Sequence, residues 1–382
     1  MGLFDLFKKK PSQSTPNAKR EEIESPPSSS VSISSTSQSQ GVNGEATVIP
    51  VEQRIKTAIV SKQGLYPHEI LALEYATSFY TSDNQFQGFW WYKYGVNDVQ
   101  ALLNSLVDRG FLAIGSLEAS LNKQTSTAIK EVLKLHSLKL TGKKADLIQR
   151  ALSEVPEAEL CKQFPRRTYE LTESGKEAIQ SEEYVLYIHR HPYENLDIWS
   201  LNQMVYAKPY YPYRDKIWGF FNKRCGEYAM SGDWGLYRNC RFSMNRFLQE
   251  EGKYKDALGM LAEVVYYDLS GMSNGFDMQY LYISAPHFFP YEDSLATTAP
   301  GVIGDIFSCQ EKASLSEDGL TQILSDRMRK LSAPLTLFTV DECIQIIWFE
   351  RSEDKESLSK LYEKARKRFQ QKYPKIDLRR NA

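Results

Sequence analysis

The chain has 382 residues, enough for two or three domains, and 42% of them are hydrophobic, enough for a buried core. A net charge of −1 excludes a globally basic nucleic-acid-binding protein and restricts any such surface to a local patch. The five cysteines are scattered without metal-ligand spacing. We therefore expect no disulfide framework, no structural zinc and a cytoplasmic location.

The N-terminal segments differ from the rest of the chain in composition. Residues 1–10, MGLFDLFKKK, form a short amphipathic tip, too short for stable membrane anchoring. Residues 11–47 are rich in Ser and Pro and almost free of large apolar side chains. Such a segment cannot bury enough surface to offset the entropy of ordering, so we predict a disordered linker.

Folded elements are predicted from about residue 48. Pro67 suits the first position of a helix. Asn97 is a suitable cap for a second helix, Asp98–Arg109, whose apolar residues recur every three or four positions. After Gly110, the run Phe111–Ile114 predicts a short strand.

A second segment with strand and helix signals follows some fifty residues later. Residues Arg166–Thr172 alternate like a strand, and Thr172 is placed to cap a helix, Glu173–Gln180. The strings LLNSLVDRGFL and YELTESGKEAI resemble the recognition helix, wing strands and closing helix of bacterial winged-helix domains. This resemblance covers residues 48–181 and implies a bacterial or phage DNA-binding protein.

The stretch between the two strands predicts a helical hairpin. Ser126 or Thr127 can cap its first helix, and Thr141 and Gly142 form a turn before a second helix that starts near Lys143. Residues 121–157 would then form an insertion at the tip of the wing, where added segments disturb little buried backbone.

The basic character of this hairpin favours anions. Between residues 121 and 155 there are seven Lys or Arg against three acids, a local charge of +4. A helix start offers free N–H groups and a positive dipole end to a phosphate. We therefore predict the following nucleic-acid contacts: Lys139, Thr141, Gly142, Lys143, Lys144 and Arg150.

The run from Leu138 to Leu152 also resembles the SAP motif, a helix–extended loop–helix module. The resemblance implies binding of duplex DNA or, less often, of RNA. A helical hairpin with a solvated lysine face is the alternative interpretation of the same residues.

Residues 182–382 predict a helical domain. Tyr184–Ile188 suggests a strand, and residues 196–270 are predicted to be helical. Within them, the hairpin 234–268 resembles a tetratricopeptide unit, which implies a protein partner. Further helices are predicted at Asp318–Leu331, Val340–Arg351 and Ser357–Lys372, after a loop-like stretch, Ser273–Pro300.

The last predicted helix runs into a basic tail. From residue 364 onward there are eight Lys or Arg against Asp377 alone. This tail is either a second phosphate contact or a solvated face.

Signatures of catalysis are absent from the sequence: it has no P-loop, GxGxxG, HExxH or GxSxG motif. We therefore predict a mostly α protein with a small β contribution that binds DNA without catalysis, metal or cofactor. The alternative is a protein–protein adaptor in which neither half binds nucleic acid.

Overall fold

The computed structural model describes residues 48–272 and 277–379. The predicted tip and linker, residues 1–47, lie outside these ranges. The described chain is mostly helical with one small two-stranded sheet, which confirms the predicted fold class. None of its described helices combines the length and apolar character that crossing a bilayer requires.

The first part of the chain contains the sheet. Its elements are α1 (Val51–Arg54), α2 (Pro67–Ala76), α3 (Phe89–Tyr92), α4 (Val99–Asp108), β1 (Leu112–Ile114), α5 (Leu117–Lys123), α6 (Ser126–Leu135), α7 (Lys144–Glu154), α8 (Glu157–Gln163), β2 (Tyr169–Leu171) and α9 (Glu173–Ser181).

The second part is helical. Its elements are α10 (Glu183–Arg190), α11 (Ile198–Ala207), α12 (Tyr213–Ser231), α13 (Trp234–Glu250), α14 (Tyr254–Ser270), α15 (Leu281–Ser284), α16 (Pro300–Lys312), α17 (Glu317–Met328), α18 (Val340–Arg351) and α19 (Lys355–Lys372). Short 3-10 turns flank α15, so the stretch predicted as loop is partly helical, and its residues 273–276 lie outside the described ranges.

Helix caps fix several of these boundaries. Thr172 caps α9 as predicted, because its Oγ1 accepts the Gly175 N–H at 3.2 Å. The cap of α4 is Asp98 rather than Asn97, since the Asp98 Oδ1 accepts the Ala101 N–H at 2.8 Å. Asn and Asp are almost equally good caps, so the adjacent residues Asn97 and Asp98 predict starts of α4 that differ by one residue.

The predicted strand at Tyr184–Ile188 is wrong, because this segment is α10. Its buried residues are Tyr184, Val185 and Ile188. In a helix, residues one and four positions after Tyr184 lie on the same side as Tyr184. A pattern of large apolar residues over only five positions does not distinguish the helical period from the strand period.

One continuous core joins the first and second parts, apart from the insertion. The buried His68 ring on α2 lies 5.3 Å from the Trp199 ring on α11. The side-chain amide of Asn202 bonds the backbone of Ile59 in both directions, at 2.8 and 2.9 Å. Packing is therefore continuous across the predicted boundary at residues 181 and 182.

Helix α14 is the centre of the second part. Every residue from Leu261 to Ser270 is buried, and α13, α16, α17 and α18 pack around the helix. The carboxylate of Glu263 is fully buried there and is paired with Arg241 and Arg327. A buried carboxylate requires such partners, since an unpaired charge in the core is strongly destabilising.

Candidate nucleic-acid interface

The two strands form the base from which the insertion projects. They pair antiparallel, with Leu112 opposite Leu171 and Ile114 opposite Tyr169. Beyond the ladder, the Gly115 N–H donates to the carbonyl of Thr168 at 2.7 Å. The chain therefore leaves β1 and returns to β2 at neighbouring points, as the predicted insertion requires.

The inserted segment has a core of its own, separate from the main core. Its buried residues come from four helices and from the residues that follow two of them: Leu121, Ile129, Val132, Leu133, Leu147, Ile148, Ala151, Val155, Leu160 and Phe164. The predicted limits of 121–157 are therefore too narrow, because α5 begins at Leu117 and the core ends at Phe164. We call residues 117–164 the inserted module.

Tyr80 connects the inserted module to its base. The Lys123 Nζ lies 4.3 Å from the centre of the Tyr80 ring, and the Arg166 guanidinium carbon lies 3.9 Å from it. The Lys123 ammonium also donates to the carbonyl of Ser78, and Arg166 pairs with Asp83. Removal from water lowers the pKa of Lys123; the carboxylate of Asp83 opposes this effect, and the positive charge of Arg166 adds to it. These contacts hold the end of α5 and the segment just after the module on one aromatic ring.

The first helices of the module have side-chain caps. Ser116 Oγ accepts the Ala119 N–H at 3.1 Å at the start of α5, and Thr125 Oγ1 accepts the Ala128 N–H at 3.2 Å at the start of α6. The predicted cap of α6, Ser126 or Thr127, is therefore displaced by one residue.

Helix α7 begins differently, with Lys143 at the cap position. An ammonium group has no lone pair to accept a hydrogen bond, so it leaves the first N–H groups of the helix uncapped. The carboxylate of Asp146 reaches back to the Lys143 N–H at 2.8 Å. The start of α7 thus combines uncapped N–H groups with a lysine, an arrangement that suits an anion.

Gly142 shapes the turn just before α7. Its φ is +133°, a region that residues with a side chain rarely adopt. A Cβ built on Gly142 would lie 3.1 Å from both the Cβ and the Oδ2 of Asp146. Glycine is therefore required both for the backbone conformation and for the approach of the Asp146 carboxylate.

The six predicted contact residues fall into two groups. Lys139, Thr141, Gly142 and Lys143 are exposed. Among the residues that the structure describes, no ion pair is found for the ammonium group of Lys139 or of Lys143.

The remaining two residues are partly buried and bind the module itself. The Lys144 Nζ lies 2.5 Å from the carbonyl oxygen of Asn122, which ties α7 to α5. The Arg150 guanidinium donates to the carbonyls of Lys139 and Thr141 at 2.6 and 3.3 Å. Both cations therefore support the shape of the module.

Two leucines next to these lysines are exposed, although the helical spacing of Leu135 with Ile129, Val132 and Leu133 predicts a buried position for it. Leu135, at the end of α6, is 71% exposed, and Leu140 in the link is 36% exposed. In the sequence, Leu135 has the spacing of a buried helix position and Leu140 that of a buried position in an extended segment. Only the packing in the structure shows that both face solvent. Over the whole module the net charge is smaller than over residues 121–155: residues 117–164 contain eight Lys or Arg against six acids, which is +2.

Helix α4, the predicted recognition helix, has no cation. Its sequence VQALLNSLVD contains neither Lys nor Arg, and its exposed face carries Ala101, Asn104 and Asp108. Arg109, directly after it, pairs with Glu69 and donates to the Gly64 carbonyl at 2.8 Å. The lysines proposed as phosphate contacts are therefore on the module, whereas α4 has none.

The closely spaced histidines His189 and His191 have separate environments. The two ring nitrogens of His189 lie 2.8 Å from the Tyr75 hydroxyl and 2.6 Å from the Tyr94 hydroxyl. His191 lies 3.4 Å from a carboxylate oxygen of Glu250. Within residues 48–272 and 277–379, no three His, Cys, Asp or Glu side chains are grouped so that they could hold a metal ion.

No protein-family model matches the chain, and no curated protein matches it in sequence.

Proposed function

We propose that the protein binds nucleic acid without catalysis, most favourably duplex DNA, through phosphate contacts from the inserted module. The observation that carries this proposal is the start of α7, where Lys143 occupies the cap position and Lys139 is exposed nearby in the link. Uncapped N–H groups, the positive end of the helix dipole and two lysines all favour a phosphate group.

Contacts of this kind position a protein on the duplex without reading its sequence. Phosphate oxygens are the same at every base pair, so binding would be of low specificity and steeply dependent on salt. The resemblance of Leu138–Leu152 to the SAP motif supports the same ligand class. RNA is the second ligand to test, because DNA and RNA have the same backbone phosphates.

We also infer that residues 48–181 are related to winged-helix domains. The order of elements supports this inference: α2, an isolated bridge between Tyr80 and Thr168, then α3, α4, the β1–β2 hairpin and α9. Because α4 has no Lys or Arg, we assign the primary contact to the module and not to this helix.

The helical second part would then recruit a protein partner. The antiparallel helices α13 and α14 resemble a tetratricopeptide hairpin, although α14 is enclosed by its neighbours. Apolar surface is available elsewhere in this part: Tyr210 is 94% exposed, Tyr211 60% and Met230 91%. Exposed apolar surface of this kind is where a partner could bury area.

Binding of the full-length protein to a random-sequence DNA duplex tests the proposal. Affinity should fall steeply as salt is raised, and the Lys139→Glu/Lys143→Glu variant should lose most binding at low salt. Lys223→Glu is the matched control, because the Lys223 side chain on α12 is 77% exposed and should leave affinity nearly unchanged. Equal affinities of the two variants would contradict the assignment to the module.

A protein–protein adaptor is the second candidate, and the exposed Leu135 and Leu140 favour it. Exposed apolar side chains beside lysines also suit an acidic peptide with apolar anchors. Absence of measurable binding to both duplex DNA and RNA at low salt would exclude the first function and leave the adaptor.

A further inference from the structure

The second part contains an acidic stretch with exposed apolar side chains. Residues 277–299 include Asp277, Glu292 and Asp293 but no Lys or Arg. We call residues 277–299 the acidic segment. Four of its large side chains are exposed: Tyr280 by 48%, Tyr282 by 61%, Ile283 by 55% and Leu295 by 47%. Exposed groups of this kind mark a surface where a protein partner can bury area.

The exposed side chains of the acidic segment are carried by neighbouring turns. Tyr282 and Ile283 are on α15, which continues into a 3-10 turn that ends at His287. The Leu295 N–H donates to the His287 carbonyl at 2.7 Å. Leu295 therefore lies next to the turn that follows Ile283.

Contacts with α18 and α19 hold the acidic segment in place. The Tyr291 hydroxyl donates to the Glu350 carboxylate of α18 at 2.8 Å. The Tyr362 hydroxyl of α19 donates to the carbonyl of Ala296 at 2.6 Å. The exposed side chains are thus presented by a fixed backbone, which reduces the entropy lost when a partner binds.

The inserted module carries the opposite charge beside apolar side chains of its own. Residues 134–143 contain Lys134, Lys139 and Lys143 and no acid. Leu135 and Leu140 are exposed among these lysines. Apolar anchors surrounded by opposite charges are the arrangement by which two protein surfaces recognise each other.

We propose that the inserted module of one copy of this protein binds the acidic segment of a second copy. Both surfaces are exposed within the single chain, so neither is covered by the other in one molecule. In the complex, Leu135 and Leu140 pack against the aromatic and aliphatic side chains of the segment. The lysines of the module face its negative charge.

The two surfaces of this contact are different, so the contact is heterologous. Each molecule that uses its module still offers its acidic segment to another copy, and association can continue into a ring or a chain. The contact does not require nucleic acid. It does use the lysines that we propose as phosphate contacts, so a DNA duplex should compete with it.

Sedimentation velocity of the full-length protein, free of nucleic acid, tests the proposal. At low salt the weight-average mass should rise above the monomer value of 43.9 kDa as the protein concentration increases. At high salt the mass should return towards that value, because salt screens the opposite charges. A protein that stays monomeric at every concentration at low salt would overturn the proposal.

Two variants test which surfaces take part. Lys139→Glu/Lys143→Glu changes the module, and Tyr282→Ser/Ile283→Ser changes the acidic segment. Each variant alone should lose most self-association. An equal mixture should form a dimer and nothing larger, because the first variant keeps an intact segment and the second an intact module. Self-association retained by either variant, or a mixture that stays monomeric, would contradict a heterologous contact.

Tyr210→Ser/Tyr211→Ser is the matched control for the acidic segment. These tyrosines are 94% and 60% exposed outside the segment, so their replacement should leave self-association unchanged. The Tyr282→Ser/Ile283→Ser variant should also bind a DNA duplex as tightly as the wild type. Loss of self-association and loss of DNA binding are therefore measured separately, and either proposal can fail without the other.

Discussion

An Nη1 atom of Arg150 lies 2.6 Å from the backbone carbonyl oxygen of Lys139 and 3.3 Å from that of Thr141. Arg150 is in the second turn of α7, whereas both carbonyls belong to the link that precedes this helix. The guanidinium therefore holds the link against the helix and places Lys139 and Lys143 at the same end of the module.

This contact predicts that substitutions of Arg150 and of Lys139 affect duplex binding in different ways. Arg150→Ala should loosen the link and weaken duplex binding roughly fivefold, the effect of about 1 kcal/mol of lost hydrogen bonding. Its salt dependence should stay nearly the same, because the lysines are still present. Lys139→Ala should instead reduce the slope of log affinity against log salt by about 0.9. Fluorescence anisotropy at several salt concentrations checks both, and a reduced slope for Arg150→Ala would make it a direct phosphate contact.

Gly142→Ala should destabilise the inserted module by roughly 1–2 kcal/mol, because φ is +133° and the new Cβ would crowd Asp146. Amide hydrogen exchange of residues 126–155 should accelerate accordingly. Gly219→Ala is the matched control: it lies within α12, has open space around it, and should stabilise that helix by about 0.5–1 kcal/mol. Unchanged exchange in Gly142→Ala would show that the turn tolerates a side chain.

Glu342 should give the second part a measurable pH dependence. Burial alone would raise the pKa of Glu342, but hydrogen bonds from Arg368 and from the Thr339 backbone outweigh it and lower the pKa to about 2. The folded pKa is below the unfolded value of 4.5, so the stabilisation is complete above pH 4.5 and is lost as pH falls toward 2.

The corresponding measurement is urea unfolding of the wild type and Glu342→Gln between pH 7 and pH 2.5. The variant should be less stable by roughly 3 kcal/mol at pH 7, and this difference should shrink below pH 4.5. A difference that stays constant over this range would show that Glu342 contributes through packing and not through its charge.

The separate core of the inserted module predicts the outcome of two deletions. Replacing residues 117–164 with a Gly-Ser pair should leave a folded protein, because the β1–β2 pairing and the main core are retained. Removing only residues 121–157 should instead expose Leu160 and Phe164, which belong to the module core.

Circular dichroism and size-exclusion chromatography distinguish these deletions. The longer deletion should elute as a single peak like the full-length protein and unfold cooperatively, and the shorter one should aggregate. Loss of cooperative unfolding in the longer deletion would mean that the module stabilises the main core.

The sequence predicted the helices with clear start and stop residues. Val340–Arg351 has the predicted limits, and Thr172 caps α9 as expected. The error at Tyr184–Ile188 arose because a short run of large apolar residues fits both the helical and the strand period. Helix α16, which starts at Pro300, was missed because Gly and Pro dominated its beginning.

Only part of the candidate interface could be predicted from the sequence. The positions of Gly142 and Lys143 follow from local pattern, because a turn and a helix start depend on neighbouring residues. The attachment of Lys144 to Asn122 and of Arg150 to the link depends on how three segments pack. Composition identifies the cations but not the carbonyls that some of them bind.

The two cations that enclose the Tyr80 ring have a consequence for the entropy of binding. A module on a free hinge would lose orientational freedom each time it engaged a ligand, and that loss would subtract from affinity. Because Lys123 of the module and Arg166 just beyond it contact the same ring, that freedom is already restricted in the unbound protein. A ligand of the inserted module would therefore meet a preorganised surface, whose direction relative to the sheet is set by an aromatic side chain outside the module.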